Sequence, residues 1–145
     1  MISQSGAINP DSIEGLRHGA KLYDQIRNRQ TDYINVARNT GLSLEQCKIL
    51  KDYMFLNKHE LVAGYERFFP DLAMAQSWLR LAEVHGKNIL PMDTLMLKHE
   101  LFEINLLLTN SKMSPAQAHE IAESKFNYSL EVERHYRVSI AIKRK

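Results

Sequence analysis

The segment from Asp93 to about Leu108 constrains the fold of this chain more than any other. On a helical wheel its apolar side chains cover nearly the whole circumference, and only Lys98 and Asn105 mark a clearly polar side. A helix of that kind cannot rest on a surface with one face in water. It is expected to be central, covered on most sides, and the most buried helix of the domain. His99 and Glu103, four residues apart, then point into the apolar arc beside Leu95, Met96, Phe102, Leu106 and Leu107. Burying an imidazole and a carboxylate is costly unless they pair with each other, with a cation or with a ligand. A satisfied structural pair and a polar site inside a helical core both fit the pattern.

The rest of the chain supplies helices to cover this one. Ser12 is placed to cap a helix over about residues 13–28, with Gly15 and Gly19 weakening its first turns. Thr31 or Asp32 opens a second helix that stops at Gly41, and Ser43 with Gln46 has capping-box spacing for a third over 44–56. The polar and aromatic stretch 57–70 reads as a loop, with Tyr65, Phe68 and Phe69 as its anchors to the core. Asp71 caps a fourth helix ended by Gly86, and Asp93 caps the fifth. Ser114, Pro115 and Gln117 open a sixth that runs to about Phe126. Beyond it, Leu130, Val132, Tyr136, Val138, Ile140 and Ile142 alternate at period two, broken by Arg134. That alternation predicts a C-terminal strand, with a helix as the competing reading. The fold class is all-α: a compact single domain of about six helices spanning 1–145, with a short C-terminal strand if the alternation is read literally. Residues 1–11 read as a flexible lead-in and 129–145 as a tail of undecided structure.

Composition narrows the function classes. With 44% hydrophobic and 25% charged residues the 145-residue chain is globular, not disordered. Cys47 is the only cysteine, which excludes an intrachain disulfide and a Cys-rich zinc site and suits a reducing compartment. A net charge of +2 is too balanced for a general binder of nucleic acid or membrane surfaces. No apolar stretch approaches the roughly 18 residues of a membrane span. The opening residues lack the basic flank and apolar run of a secretion signal.

On the sixth helix His119 lies at the edge of the apolar face, with Glu123 one turn on. A short connection to the fifth helix makes the two helices neighbours, so two His/Glu pairs at i, i+4 spacing can face each other. Imidazoles and carboxylates titrate on either side of neutrality, which suits acid–base work, and the same groups suit a metal. His99-Glu100-Leu101-Phe102-Glu103 departs from the metalloprotease pattern H-E-x-x-H in its last ligand. The 57–70 segment and the capping residue after it add His59, Glu60, Arg67 and Asp71. Residues 34–43 resemble a helix-turn-helix corner, but Glu45 and Asp52 occupy the face a recognition helix would present, so a packed corner is preferred. Trp78 reads as core.

Taken in order, LRHGAKLYDQIRNR, DYINVARNTGLSLEQCKILKDYMF, NKHEL, RFFPDLAMAQSWLRL, LKHELFE and AHEIAESKFNY resemble a toxin domain at the C-termini of bacterial polymorphic toxins. These include contact-dependent growth-inhibition, Rhs and type VII-secreted proteins. The resemblance covers about Ile8 to Tyr128, and the residues from Ser129 onward do not match. It implies a domain delivered as part of a larger effector, acting in the target-cell cytoplasm and blocked by a cognate immunity protein. Toxins of this kind are most often nucleases, frequently of tRNA or other RNA. Carried over position by position, it points to His59, Arg67, His99, Glu103 and His119. The leading expectation is a ribonuclease that works without metal or cofactor. Histidines supply base and acid, Glu103 orients one imidazole, and Arg67 stabilises phosphorane-like charge. The alternatives are a metal-dependent hydrolase using His99, Glu103, His119 and Glu123, and a non-enzymatic helical adaptor.

Overall fold

The computed structural model describes the backbone of residues 9–144 and the side chains of residues 9–137. Residues 1–8 of the expected lead-in lie outside the described residues. Residues 9–11 belong to a turn in which the Asn9 carbonyl accepts the Ser12 amide and hydroxyl. The elements are α1 (Ile13–Asn28), α2 (Asp32–Thr40), α3 (Leu44–Lys51), a π-helical turn (Asp52–Leu56), β1 (Lys58–Leu61), β2 (Gly64–Arg67), α4 (Leu72–Leu81), α5 (Pro91–Thr109), α6 (Pro115–Lys125) and α7 (Tyr128–Arg144). The architecture is all-α with one very small antiparallel hairpin.

Helix starts follow the expected caps. Ser12, Ser43, Asp71 and Ser114 each accept a backbone N–H of the first turn, and Ser43–Gln46 and Ser114–Gln117 form full capping boxes. α5 begins earlier than expected: Pro91 occupies the first turn, and Asp93 acts from inside the helix by accepting the Leu90 N–H at 2.8 Å. α4 ends at Leu81, before Gly86. Asn39 of α2 donates to the Leu81 and Glu83 carbonyls and Asn35 to that of Ala82, so side chains of a neighbouring helix satisfy the last carbonyls.

α5 is central, touching α3, α4, α6 and α7, and its polar markers Lys98 and Asn105 are exposed. It is not the most completely buried helix. Leu108 near its end is 79% exposed, whereas the shorter α4 buries Leu72, Ala73, Ala75, Ser77, Trp78 and Leu81 within ten residues. Trp78 is core, edge-on to Phe55, which in turn meets Tyr23. Its indole N–H donates to Asp32 at 2.9 Å, and the other Asp32 oxygen pairs with Lys51 at 2.5 Å. Both charged side chains are buried, and Lys51 also donates to the Arg29 carbonyl.

Three expectations are corrected. Residues 57–70 are not all loop: β1 and β2 pair Lys58 with Arg67 and Leu61 with Gly64, and Gly64 takes a φ of 132° that only glycine adopts freely. The strands are four residues long and mostly exposed, too short to show an alternation. Phe68 anchors this segment, but Tyr65 and Phe69 are exposed. The third helix keeps its extent but changes pitch at Asp52, where the Asn57 N–H bonds to the Asp52 carbonyl. The tail is helix, not strand. Tyr128, Val132 and Tyr136 recur every four residues and face the core, while Leu130 is exposed. A period-two series contains a period-four series, so the alternation concealed a helical stripe. α7 is fastened to α4 by Tyr128 with Ser77 and by Tyr136 with Gln76.

Candidate active site

α5 carries His99, Glu100 and Glu103 into the interior, at 3, 5 and 4% exposure. Across from them α6 presents His119 and Glu123, with the His119 side chain 54% exposed. The His99 and His119 rings meet, His99 Nε2 lying 3.2 Å from His119 Nδ1. Glu103 serves both imidazoles, at 3.5 Å from His99 Nε2 and 4.0 Å from His119 Nδ1. His119 Nε2 lies 3.2 Å from Glu123, whose carboxylate also accepts the amide and hydroxyl of Ser129 at the start of α7. His99 Nδ1 donates to the Phe126 carbonyl at 3.0 Å, at the end of α6. Each outer ring nitrogen thus has an oxygen acceptor, and the two inner nitrogens face one another.

The π-helical turn brings Tyr53 in from behind. Its hydroxyl is buried and close enough to Glu103 and Glu100 for their charge to raise its pKa, after burial itself, but no geometric hydrogen bond forms. Burial also pushes the Glu100 carboxyl well above the usual carboxylate range, and the neighbouring Glu103 charge pushes it further. On His99 burial opposes the charged form. The hydrogen bond to Glu103, the Phe126 carbonyl and the nearby carboxylates outweigh it, so the pKa rises.

The cluster opens into a cleft of about 670 Å³ between the Asn9 turn, α4, α6 and α7. Asp11, Asp71, Glu100, Glu123 and Glu133 line it, against Arg137 as the only arginine or lysine among the described lining residues. A larger, shallower cleft of about 960 Å³ lies elsewhere, with Tyr136 lining both. Its Arg80 is already held by Asp93 through two hydrogen bonds of 2.9 and 2.8 Å, and the groups of His, Asp or Glu close enough among the described residues to share a metal lie outside it. The His/Glu cluster belongs to the smaller cleft.

Of the five residues singled out from sequence, His99, Glu103 and His119 come together. His59 and Arg67 do not line this cleft. His59 stacks on Phe68 at 3.9 Å and bonds to the Tyr53 carbonyl at 2.9 Å, bracing the hairpin and the π-helical turn. Arg67 is exposed on β2 opposite Lys58. Sequence reasoning passed over Glu100 and Tyr53. Glu100 carried a signal, since it is a second carboxylate next to His99 on a helix that is apolar nearly all round. Tyr53 carried none, because its aim depends on the change of pitch. No family model, curated protein or solved structure matches this chain. No helix among the described residues is long and apolar enough to cross a membrane.

Proposed function

We propose that this chain is a bacterial toxin effector domain that cleaves RNA, with the His99–Glu103–His119 cluster as its catalytic centre. The observation that carries an enzymatic reading is the convergence of two His/Glu pairs from separate helices at the head of a cleft, imidazole against imidazole. Buried titratable groups with shifted pKa values in a concave site are what proton-transfer chemistry needs. The toxin assignment and the choice of RNA rest on the sequence resemblance, which also supplies the delivery route, the target-cell cytoplasm and the immunity protein.

Geometry refines the mechanism. In cleavage by a 2′-hydroxyl, the attacking and leaving oxygens sit on opposite sides of the phosphorus, so the groups that serve them cannot touch each other. His99 and His119 are in contact, and therefore act together at one end of the reaction. His119 is the imidazole exposed to substrate, with His99 and Glu103 behind it. The cluster draws the proton from the 2′-hydroxyl, the oxygen attacks phosphorus, and the bond to the 5′ oxygen breaks. A 2′,3′-cyclic phosphate remains, and the departing oxygen takes up a proton. That proton comes from solvent in the open cleft, because Glu100 lies within 4.8 Å of His99 and Glu103 and so on the attacking side.

The test is induced expression in a bacterium without an immunity protein, followed by electrophoresis of total RNA and DNA. Growth arrest with discrete RNA fragments is expected, abolished by His119→Ala. Normal growth with soluble, unmutated protein would instead mark a helical adaptor with structural His–Glu pairs.

A further inference from the structure

The orientation of the two rings decides what can sit between them. His99 Nδ1 gives its proton to the Phe126 carbonyl, and His119 Nε2 faces the Glu123 carboxylate as a donor. In neutral imidazoles the inner nitrogens, His99 Nε2 and His119 Nδ1, then carry lone pairs, and these point at each other across 3.2 Å. The Glu103 carboxylate adds further lone pairs, with Oε2 3.5 Å from His99 Nε2 and Oε1 4.0 Å from His119 Nδ1. With both rings neutral, three acceptors converge with no donor among them, so the gap calls for either a proton shared among them or a metal cation.

We infer that this gap is a divalent transition-metal site, with His99 Nε2, His119 Nδ1 and a Glu103 oxygen as ligands and the cleft side open to substrate. The spacing supports it: ligands about 2.0–2.1 Å from a tetrahedral zinc ion stand about 3.3 Å from one another. So does the surrounding shell, because metal-bound imidazoles characteristically give their other N–H to a carbonyl or carboxylate, the roles of Phe126 and Glu123 here. Two overlapping groups, His99 with His119 and Glu123, and His99 with Glu100 and Glu103, each bring one donor atom per residue within 4.8 Å of one another, giving the ion nearby carboxylates for a change of coordination. An independent sign comes from the opposite side. Tyr53 is only 8% exposed, and its hydroxyl is buried beside Glu103 without a hydrogen-bond partner among the described residues. A metal-bound water or a shifted Glu103 oxygen would complete it.

The ion departs from the metal-free expectation and resolves a conflict in the cleft. RNA phosphate is repelled by a wall of Asp and Glu side chains, and a bound divalent cation reverses the sign where the phosphate must come. It would lower the pKa of a coordinated hydroxyl or water at that end of the reaction, and with the ion bound the two imidazoles would act as its ligands and not as the base. The second imidazole, absent from α5 where H-E-x-x-H would place it, comes from α6.

The inference rests on the ribonuclease reading for its use but not for its test. The full chain, stripped by chelator and dialysed, is titrated with Co²⁺ and followed by visible absorption and calorimetry. One equivalent is expected to bind with the intense bands of a low-symmetry four- or five-coordinate ion, and Zn²⁺ to abolish them by displacement. His119→Gln, at a half-exposed position that spares the fold, should weaken binding by at least about tenfold, and Glu123→Gln by about 10–100-fold. His85→Gln, at an exposed histidine outside the cluster, should leave it unchanged. Absence of stoichiometric binding, or binding indifferent to His119→Gln, overturns the inference. RNA cleavage that persists in a metal-free chain overturns the ion's use in cleavage and keeps the ribonuclease. One bound ion with no RNA cleavage keeps the site and overturns the ribonuclease.

Discussion

Removing the carboxylate of Asp32 should be among the most damaging single changes to this fold, although Asp32 lies outside the cleft. Its two oxygens hold Lys51 and the Trp78 indole N–H, with both charged side chains about 3% exposed. In Asp32→Ala the ammonium keeps only the Arg29 carbonyl, and breaking a buried pair from one side costs about 3–5 kcal/mol. The indole N–H loses its acceptor as well, worth about 1–3 kcal/mol. The two costs share local relaxation, so a total of about 4–6 kcal/mol is expected, a large part of the 5–15 kcal/mol typical of a domain. Lys51→Met should cost about 3–4 kcal/mol, because Asp32 retains the indole. With both changes no charge stays buried, and the double variant should lose no more than about 3 kcal/mol, mostly from the orphaned indole. The double-mutant cycle therefore predicts a coupling of at least about 3 kcal/mol. Urea titrations followed by circular dichroism give all four corners. Either single change within about 1 kcal/mol of the parent, or additive losses, would refute the reasoning.

Three further outcomes follow from the site and its supports. Glu100 and His99 both bind protons more tightly in the folded chain, so their contribution is complete below the unfolded values of about 4.5 and 6.5 and is lost as pH rises through the raised ones. Urea midpoints of the metal-free chain should therefore fall as pH rises above those unfolded values, and Glu100→Gln should flatten that decline; an unchanged slope counts against the raised carboxyl. His119→Ala should reduce RNA cleavage about 10²–10⁴-fold with circular dichroism unaltered, whereas His59→Ala should lower stability but leave activity per folded molecule within about threefold, since His59 braces the hairpin. Asn39→Ala should cost about 1–2 kcal/mol in denaturant melts through the uncapped Leu81 and Glu83 carbonyls, and no loss would mean that water replaces the amide.

The helical architecture was legible because its signals are local. Ser43, Ser114 and their glutamines are three residues apart, and the wheel of α5 is read within one segment. The meeting of His99 and His119 was legible for a related reason, since a short connection leaves α6 nowhere to pack but beside α5. The hairpin at 58–67 was not legible, because four-residue exposed strands carry no pattern. α7 was misread because its stripe at 128, 132 and 136 is embedded in an alternation, and only packing on α4 chooses between them. The use of Arg67 failed as geometry for the same reason. Its position depends on a strand register that sequence did not show, and that register aims it at solvent.

The π-helical turn at Asp52–Leu56 holds one residue more than an α-turn of the same reach, and three consecutive side chains, Tyr53, Met54 and Phe55, are buried through it. The segment can thus be regarded as a helix carrying a one-residue insertion. Deleting one residue there would restore regular hydrogen bonding from Leu44 onward. It would also rotate whatever follows by about 100°, since an α-helix has 3.6 residues per turn. The Tyr53 phenol could not keep its place beside Glu103 while Phe55 kept its own against Tyr23 and Trp78. Chain length at this point is therefore information about the site. A homologous sequence one residue shorter between Cys47 and Lys58 would have to aim a different side chain at the carboxylates, even if every histidine and glutamate in the cleft were retained.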